Sequence, residues 1–357
     1  MRDFIIIGGG IAGISAAAEL SKLGTVTVLE AEGALAHHAS GRSAALYEPH
    51  YGLPPIVALS LASGEALRAK EGILSPRGMM VLAGAHERAA FEKERKGFNL
   101  DDLTIEEARE RFPILNPDSV AYAAAADHAW DIDTDLLIQG YLKEARARGA
   151  EVLPKARAAA IVRLPDGWRV TTAQGDHEGR VLVNAAGAWV DEVAKLAGIA
   201  PLGFTPMRRS MARIPAPGGH DLSRWPMVFG VGESWYCKPD AGALIVSPAE
   251  EHPADPHDAW ADDMVLAEGL ARFEEKVTDP VTRLIASWAG LRTFSPDRVP
   301  VIGFAPSDPG FFWLAGQGGY GFQSAPGVSG LVGDLVAGRT PLIGAEVVAA
   351  VAPARFQ

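Results

Sequence analysis

The segment Gly8-Gly9-Gly10-Ile11-Ala12-Gly13 constrains this chain more than any other. It follows Phe4-Ile5-Ile6-Ile7, a wholly apolar, largely β-branched run of the kind buried on both faces of a sheet. It opens a stretch from Ile11 to Leu23 in which Ile14, Ala17, Ala18 and Leu20 recur at helical spacing until Gly24. Thr25 to Leu29 reads as a second strand, so the first thirty residues form a βαβ unit, whose parallel strands require a right-handed crossover. In that setting Gly8 allows the tight turn, Gly10 lets backbone approach a pyrophosphate, and Gly13 lets the helix pack on the strand. The helix N-terminus then faces the anion, and Glu30 stands where a carboxylate accepts hydrogen bonds from a ribose 2′-OH and repels a 2′-phosphate. A dinucleotide is the expected ligand, and the motif alone does not separate FAD from NAD.

Composition narrows the class. A length of 357 residues suggests about two domains and a sizeable core. Acidic residues (44) outnumber Lys and Arg (33), and the net charge of −11 disfavours nucleic acid and anionic lipid as partners. A single cysteine, Cys237, excludes internal disulfides and multi-thiolate clusters and fits a reducing compartment. The N-terminal apolar run is too short for a signal sequence and no stretch is long enough for a membrane span, so a cytoplasmic location is expected.

Further along, Ser60 to Arg111 reads as mostly helical, broken by Ser75-Pro76-Arg77-Gly78 before a short strand, Met79 to Leu82. Asp135 to Arg148 is a helix, Glu151 to Leu153 a strand, and Pro165-Asp166-Gly167 a hairpin turn between Ile161–Leu164 and Trp168–Thr172. Val181 to Val183 is a buried strand, and Pro201 to Ser247 alternates short apolar runs with Gly and Pro, as an antiparallel sheet does. His252 to His257 reads as a loop and Met264 to Val277 as a helix. A strand from Phe311 to Leu314, a Gly-rich turn and an apolar helix to about Ala337 repeat the opening theme. The fold class is α/β (α+β), with a discontinuous Rossmann-like nucleotide domain and an inserted antiparallel-sheet domain. The His37-His38 pair and the 252–258 segment lack metal-ligand spacing and read as solvated loops, so no metal is expected.

Four later segments carry a more specific signal: Ser40-Gly41-Arg42-Ser43-Ala44-Ala45, Val183-Asn184-Ala185-Ala186-Gly187-Ala188-Trp189, Trp288-Ala289-Gly290-Leu291-Arg292 and Gln317-Gly318-Gly319-Tyr320-Gly321-Phe322. In this order they resemble the D-amino-acid oxidase/glycine oxidase superfamily of FAD-dependent oxidoreductases, and within it the bacterial D-arginine dehydrogenases. The resemblance runs from Asp3 to about Gly338. It implies an FAD-binding domain over 1–78, 132–203 and 294–357 and a substrate domain over 79–131 and 204–293. It also implies FAD contacts from Ile11, Ala12, Ala31, Arg42, Ser43, Ala44, Ala45, Ala158, Ala186, Gly187, Trp189, Phe322 and Gln323, beside Gly8, Gly10, Gly13 and Glu30. Small residues such as Ala44, Ala45 and Ala186 suit the close wall that a flat flavin ring needs. Gly318, Gly319 and Gly321 would offer N–H groups and a helix dipole where charge develops on reduction. Cys237 does not match the position of tethering cysteines near the C-terminal end in some relatives, so the FAD is expected to be non-covalent.

The resemblance carries Arg209, Tyr236 and Arg292 over as a clamp for a substrate carboxylate, a task the bidentate guanidinium fork suits. Strand phase decides between Arg209 and its neighbour Arg208. Arg292 stands among apolar residues and wants an anion, with a structural ion pair to an Asp or Glu the alternative for it and for Arg209; Tyr51 is a candidate lid, or part of a docked surface loop, and Gly319 and Tyr320 lie at the flavin rim, with core packing the alternative for Tyr320. Where the arginine dehydrogenases have a His and a Glu, this chain has Leu46 and Met79, which lack the carboxylate that pairs with a cationic side chain. The expected reaction is therefore oxidation of a neutral or apolar D-amino acid to an imino acid, then a 2-oxo acid and ammonia, by hydride transfer from Cα. An acidic residue from 201–247 or 127–135 is the alternative source of cation binding. Without the His, the base for the substrate amine is open, with His50 and Glu48 the nearest titratable groups. Glycine, an N-methyl amino acid or a 2-hydroxy acid would suit the same clamp. A NAD-linked dehydrogenase or an idle nucleotide-binding protein is the remoter alternative. The electron acceptor could be dioxygen, a quinone or a soluble carrier.

Overall fold

In the computed structural model, which describes residues 1–356, the strand Arg2–Ile7 runs parallel to Val26–Leu29 on one side and to Gly175–Asn184 on the other. The parallel order continues outward to Glu151–Leu153 beyond Val26–Leu29, and to Phe311–Trp313 beyond Leu182–Asn184. Parallel strands of this kind must be covered on both faces. The residue alternation supplies the two cores: Phe4 and Ile6 join Ile14, Val28 and Phe312 under the helices Ile11–Leu20, Thr134–Ala147 and Gly321–Val336, while Ile5 and Ile7 join Trp168, Leu182 and Trp313 on the opposite face. Pro165 and Asp166 form the two-residue connection of the hairpin, with Leu164 paired to Gly167. The strand expected at Val181–Val183 extends back to Gly175 because its first half pairs with Gly167–Thr172.

A second sheet, of nine strands, draws on residues 79–126 and 205–294. It is antiparallel except at Met227–Gly230, which pairs in parallel with Met79–Leu82; the two segments come from distant parts of the chain, so no hairpin dictates their direction. The strands Asp101–Leu103 and Ala286–Phe294 also went unread in the sequence, the first because it is short and charged, the second because its start is exposed. One face packs Met80, Val228, Cys237, Leu244 and Val246 against Phe112, Trp225 and Phe273; the other carries Met79, Met211, Phe229 and Tyr236. Period-two alternation thus puts Tyr236 and Cys237 on opposite faces, as expected. A small three-stranded sheet, Leu46–Tyr47, Leu74–Pro76 and Trp130–Ile132, stands beside them. Among the described residues no helix is long and apolar enough to cross a membrane.

The first helix reaches the sheet through backbone. A Cβ on Gly13 would lie 1.9 Å from the Gly8 carbonyl oxygen, and one on Gly8, whose φ is +111°, 2.4 Å from that of Ala185. Neither neighbour is a side chain that could swing away, so Gly13→Ala must lift the helix from the strand. The expected cost is about 1 to 3 kcal/mol, the range for overpacking a tight interior, together with loss of bound flavin. Denaturant unfolding and the flavin-to-protein absorbance ratio check it; unchanged stability would show that the contact is not tight.

Candidate active site

Two adjoining cavities, of about 340 and 260 Å³, run from the βαβ turn to the face of the nine-stranded sheet and share the lining residues Gly10, Ser40, Arg42, Ala185, Gly187 and Gly290. The larger begins at Glu30. Glu30 is buried, and its carboxylate accepts N–H bonds from Gly9 (2.7 Å) and Glu32 (2.7 Å), which fix it at the cavity edge. Ala31, Ala158, Ala186 and Trp189 line the same space, with His38 against the Trp189 ring at 4.6 Å. Gly10 caps the helix Ile11–Leu20 in extended conformation, so the helix N-terminus opens toward both cavities.

The smaller cavity has one wall of Ser43, Ala44, Ala45 and Leu46 and another of Gly318, Gly319, Gly321, Phe322 and Gln323. Lys238 stitches the first wall to the large sheet, donating to the Ala45 carbonyl (3.4 Å) and pairing with Asp131 (2.9 Å). The second is held close by glycine: at Gly318, with φ +52°, a Cβ would lie 2.3 Å from the Phe294 ring. The third wall is the sheet face itself. Arg209 pairs in register with Gly290, which puts Arg292, two residues on, on the same side as Arg209. Arg208 pairs with Leu291, faces the other way and meets Glu250 (3.9 Å) and Asp262 (3.5 Å), so strand phase selects Arg209. Met211, Tyr236, Phe229, Met227 and Met79 complete this wall.

An ion pair with an Asp or Glu is the alternative for Arg209 and Arg292 in the sequence, but the residues alone do not name the carboxylates. Arg292 is paired with Glu251, which also binds Arg298 (2.7 Å) and lies 3.5 Å from Arg209. Glu233 lies 3.8 Å from Arg209 and accepts the Tyr51 hydroxyl at 3.0 Å. Both follow from strand register and loop path; the acidic Glu250-Glu251 doublet downstream of the basic Arg208-Arg209 doublet was the available signal. The arginines keep free capacity nonetheless. Arg292 Nε is buried without a hydrogen-bond partner, and Arg209 donates only its Nε, to the Glu250 carbonyl (3.0 Å), among the described residues. Burial, then the Glu233 carboxylate, push the Tyr51 phenol well above its ordinary range, so it is a donor and not a base at neutral pH.

Two further expected residues hold positions that the motifs alone did not fix. Tyr320 lines neither cavity and takes the packing alternative: it ends the glycine turn with its side chain against Tyr51, ring centroids 5.0 Å apart. Arg42 lines both, but its guanidinium is committed to Asp258 and to the Ala259 (2.8 Å) and Ala289 (3.0 Å) carbonyls, a strut more than a free cation. Gly13 also stands outside the lining, consistent with its packing task. The remaining expected site residues line one cavity or the other.

The cleft therefore suits an elongated dinucleotide. A buried, fixed carboxylate and a helix N-terminus stand at one end, and a narrow slot walled by alanines and side-chain-free glycines at the other, with two arginines on the sheet face over the slot. This is the arrangement of a flavin-dependent oxidoreductase. The chain belongs to the FAD dependent oxidoreductase family, whose sequence model matches residues 3–335. It is 26% identical over 394 residues to FAD-dependent oxidoreductase domain-containing protein 1 of Bos taurus, covering 94% of this chain and 81% of that protein. It is 27% identical to the mitochondrial dimethylglycine dehydrogenase of Rattus norvegicus, again over 94% of this chain but only 43% of the relative. Glycine oxidase from Geobacillus kaustophilus has the same fold, with a TM-score of 0.84 at 24% identity over 98% of each chain. FAD is the cofactor.

Cys237 is fully buried on the far face of the large sheet, lines neither cavity, and its thiol is pushed up by burial. Acid precipitation of the holoprotein is expected to leave the yellow chromophore in the supernatant. Flavin retained on the washed precipitate would reveal a covalent tether.

Proposed function

We propose that the protein oxidises the Cα–N bond of a D-amino acid with a neutral or apolar side chain, giving an imino acid that water hydrolyses to a 2-oxo acid and ammonia. The observation that carries this reading is the unused donor capacity of Arg209 and Arg292 on the sheet face, beside a Tyr236 hydroxyl that makes no hydrogen bond among the described residues. A carboxylate completes those donors, and a guanidinium fork is the group suited to hold it in a single orientation. FAD, when bound, accepts the hydride from Cα. The chain's own task is positioning: the clamp fixes the carboxylate, and Tyr51, latched to Glu233 and backed by Phe98 and Tyr320, covers the pocket.

The side-chain preference rests on Leu46, Met79, Met211, Met227 and Phe229, which line the cavity with apolar, adaptable surface. Glu233, from the stretch named as an alternative source of cation binding, also lines it, but one of its oxygens is already engaged by Tyr51. A second reading, glycine or an N-methyl amino acid, is favoured by the dimethylglycine dehydrogenase and glycine oxidase likenesses and would use the same clamp.

Anaerobic bleaching of the flavin by D-methionine, D-phenylalanine, D-alanine, D-arginine, sarcosine, glycine and the L-enantiomers separates these. A tenfold or greater preference for D-arginine overturns the apolar assignment, and bleaching confined to glycine and sarcosine supports the second reading. Arg292→Met removes one partner of a buried charge-assisted contact, about 2 to 5 kcal/mol. The expected loss in kcat/KM is about thirtyfold to several thousandfold, with FAD content retained. Normal turnover by this variant would place the carboxylate elsewhere.

A further inference from the structure

An amine bound as its ammonium cannot release hydride from Cα until it has lost a proton, and the clamp contains no base. Arg209 and Arg292 are cations and the Tyr51 phenol is held protonated. The residue that fills this gap lies on the adjacent wall. Leu46–Tyr47 is a short strand, and its alternation carries on into Glu48: Leu46 and Glu48 line the cavity, while Tyr47 turns away to donate to the Ser60 carbonyl (3.2 Å).

Glu48 is almost fully buried, at 3% exposure, yet neither arginine nor lysine neutralises it among the described residues. The titratable groups that face it are two histidines. His50, from the same loop, brings Nδ1 to 3.1 Å from one carboxylate oxygen, which also accepts the His50 backbone N–H at 2.9 Å. His128, from the loop after the strand Tyr122–Ala126, brings Nε2 to 3.4 Å from the other oxygen. From the helix Gly321–Val336 comes only the uncharged Gln323 amide, which accepts the Glu48 backbone N–H (3.2 Å). The second carboxylate oxygen and His128 Nε2 are both buried without a hydrogen-bond partner. Both imidazoles are partly exposed, His50 at 44% and His128 at 29% of the side chain, so the cluster begins at the cavity wall and ends in solvent.

We propose that Glu48, His50 and His128 form the proton exit of the active site. The Glu48 carboxylate accepts the proton that the substrate ammonium must lose, and one of the two imidazoles passes it to water. The proposal rests on the amine-oxidation reading given above. The transfer balances without a co-reactant: an N–H bond of the ammonium breaks, an O–H bond forms on Glu48, and an equivalent proton leaves from the imidazole edge while the amine keeps its lone pair. Burial raises the Glu48 carboxyl above the usual carboxylate range and the histidines draw it back, which brings it closer to the neutral range in which a general base works best.

The test uses holoenzyme. With D-methionine or sarcosine, whichever reduces the wild-type flavin, anaerobic stopped-flow reduction is followed from pH 5 to 10. The wild type should rise through an apparent pKa that belongs to the cluster and then level off. Glu48→Gln should lose the plateau, run about 10²- to 10⁴-fold slower at pH 7 and recover steadily toward high pH as solvent takes over. Glu48→Asp should restore the limb in part, and His128→Asn should displace it. If no amine of the panel above bleaches the wild-type flavin, the amine-oxidation reading falls, and the proposed exit falls with it. An unchanged pH profile in a Glu48→Gln enzyme that retains FAD would overturn the relay alone.

Discussion

The approach of Gly13 onto the Gly8 carbonyl, with Gly8 itself against Ala185, is the contact on which the rest of the molecule depends. It joins three segments at one point: the end of the strand Arg2–Ile7, the start of the helix Ile11–Leu20 and the turn after Gly175–Asn184. A side chain at either glycine would push the helix N-terminus off the sheet and pull Gly10 away from the junction of the two cavities. Helix dipole, fixed Glu30 carboxylate and narrow ring slot are useful only while that junction holds its shape, because a dinucleotide must meet all three at once.

The second constraint is register. In a sheet, a shift of one residue exchanges the two faces. With Arg209 opposite Gly290 and Phe229 opposite Tyr236, the cavity face receives Arg209, Arg292, Tyr236, Met211 and Phe229, while Arg208 and Cys237 turn to the other side. Substrate chemistry and hydrophobic support are thereby sorted by the same alternation, and the single parallel pairing, Met227–Gly230 with Met79–Leu82, brings Met79 into the pocket from a distant part of the chain.

This explains what could and could not be read from the residues. The βαβ unit, the glycine turn before the last long helix and the Pro165-Asp166 hairpin are local, so spacing and turn chemistry were enough to locate them. Arg209, Arg292, Tyr236 and Tyr51 were identified by resemblance, but their partners were not, because Glu233 and Glu251 reach the arginines through loops whose course depends on the packed sheet. Tyr320 illustrates the same limit: the motif located its backbone, and only the tertiary packing put its ring behind Tyr51. Glu48 was visible merely as a titratable residue near the lid; its burial and its two histidine neighbours, one of them 80 positions away, belong to the fold.

Charge accounting links the clamp to the base. Arg209 and Arg292 on the cavity face stand against Glu233 and Glu251, two cations and two anions, while Arg298, which also binds Glu251, lies outside the lining and is 42% exposed. Because Glu251 is shared among three guanidiniums, donors of the two lining arginines stay without an acceptor, and such buried donors are costly unless one completes them. One substrate carboxylate would do so. The same two guanidiniums bear on the proposed reaction at the other end of an amino acid: an ammonium entering beside them would be disfavoured as a cation, and its proton would be favoured to leave toward a lining carboxylate that neither arginine nor lysine neutralises. Glu48 is that carboxylate on the adjoining wall. On this reading, binding of the carboxylate and loss of the amine proton would be coupled through one local field, and the pocket would need no base within the clamp itself.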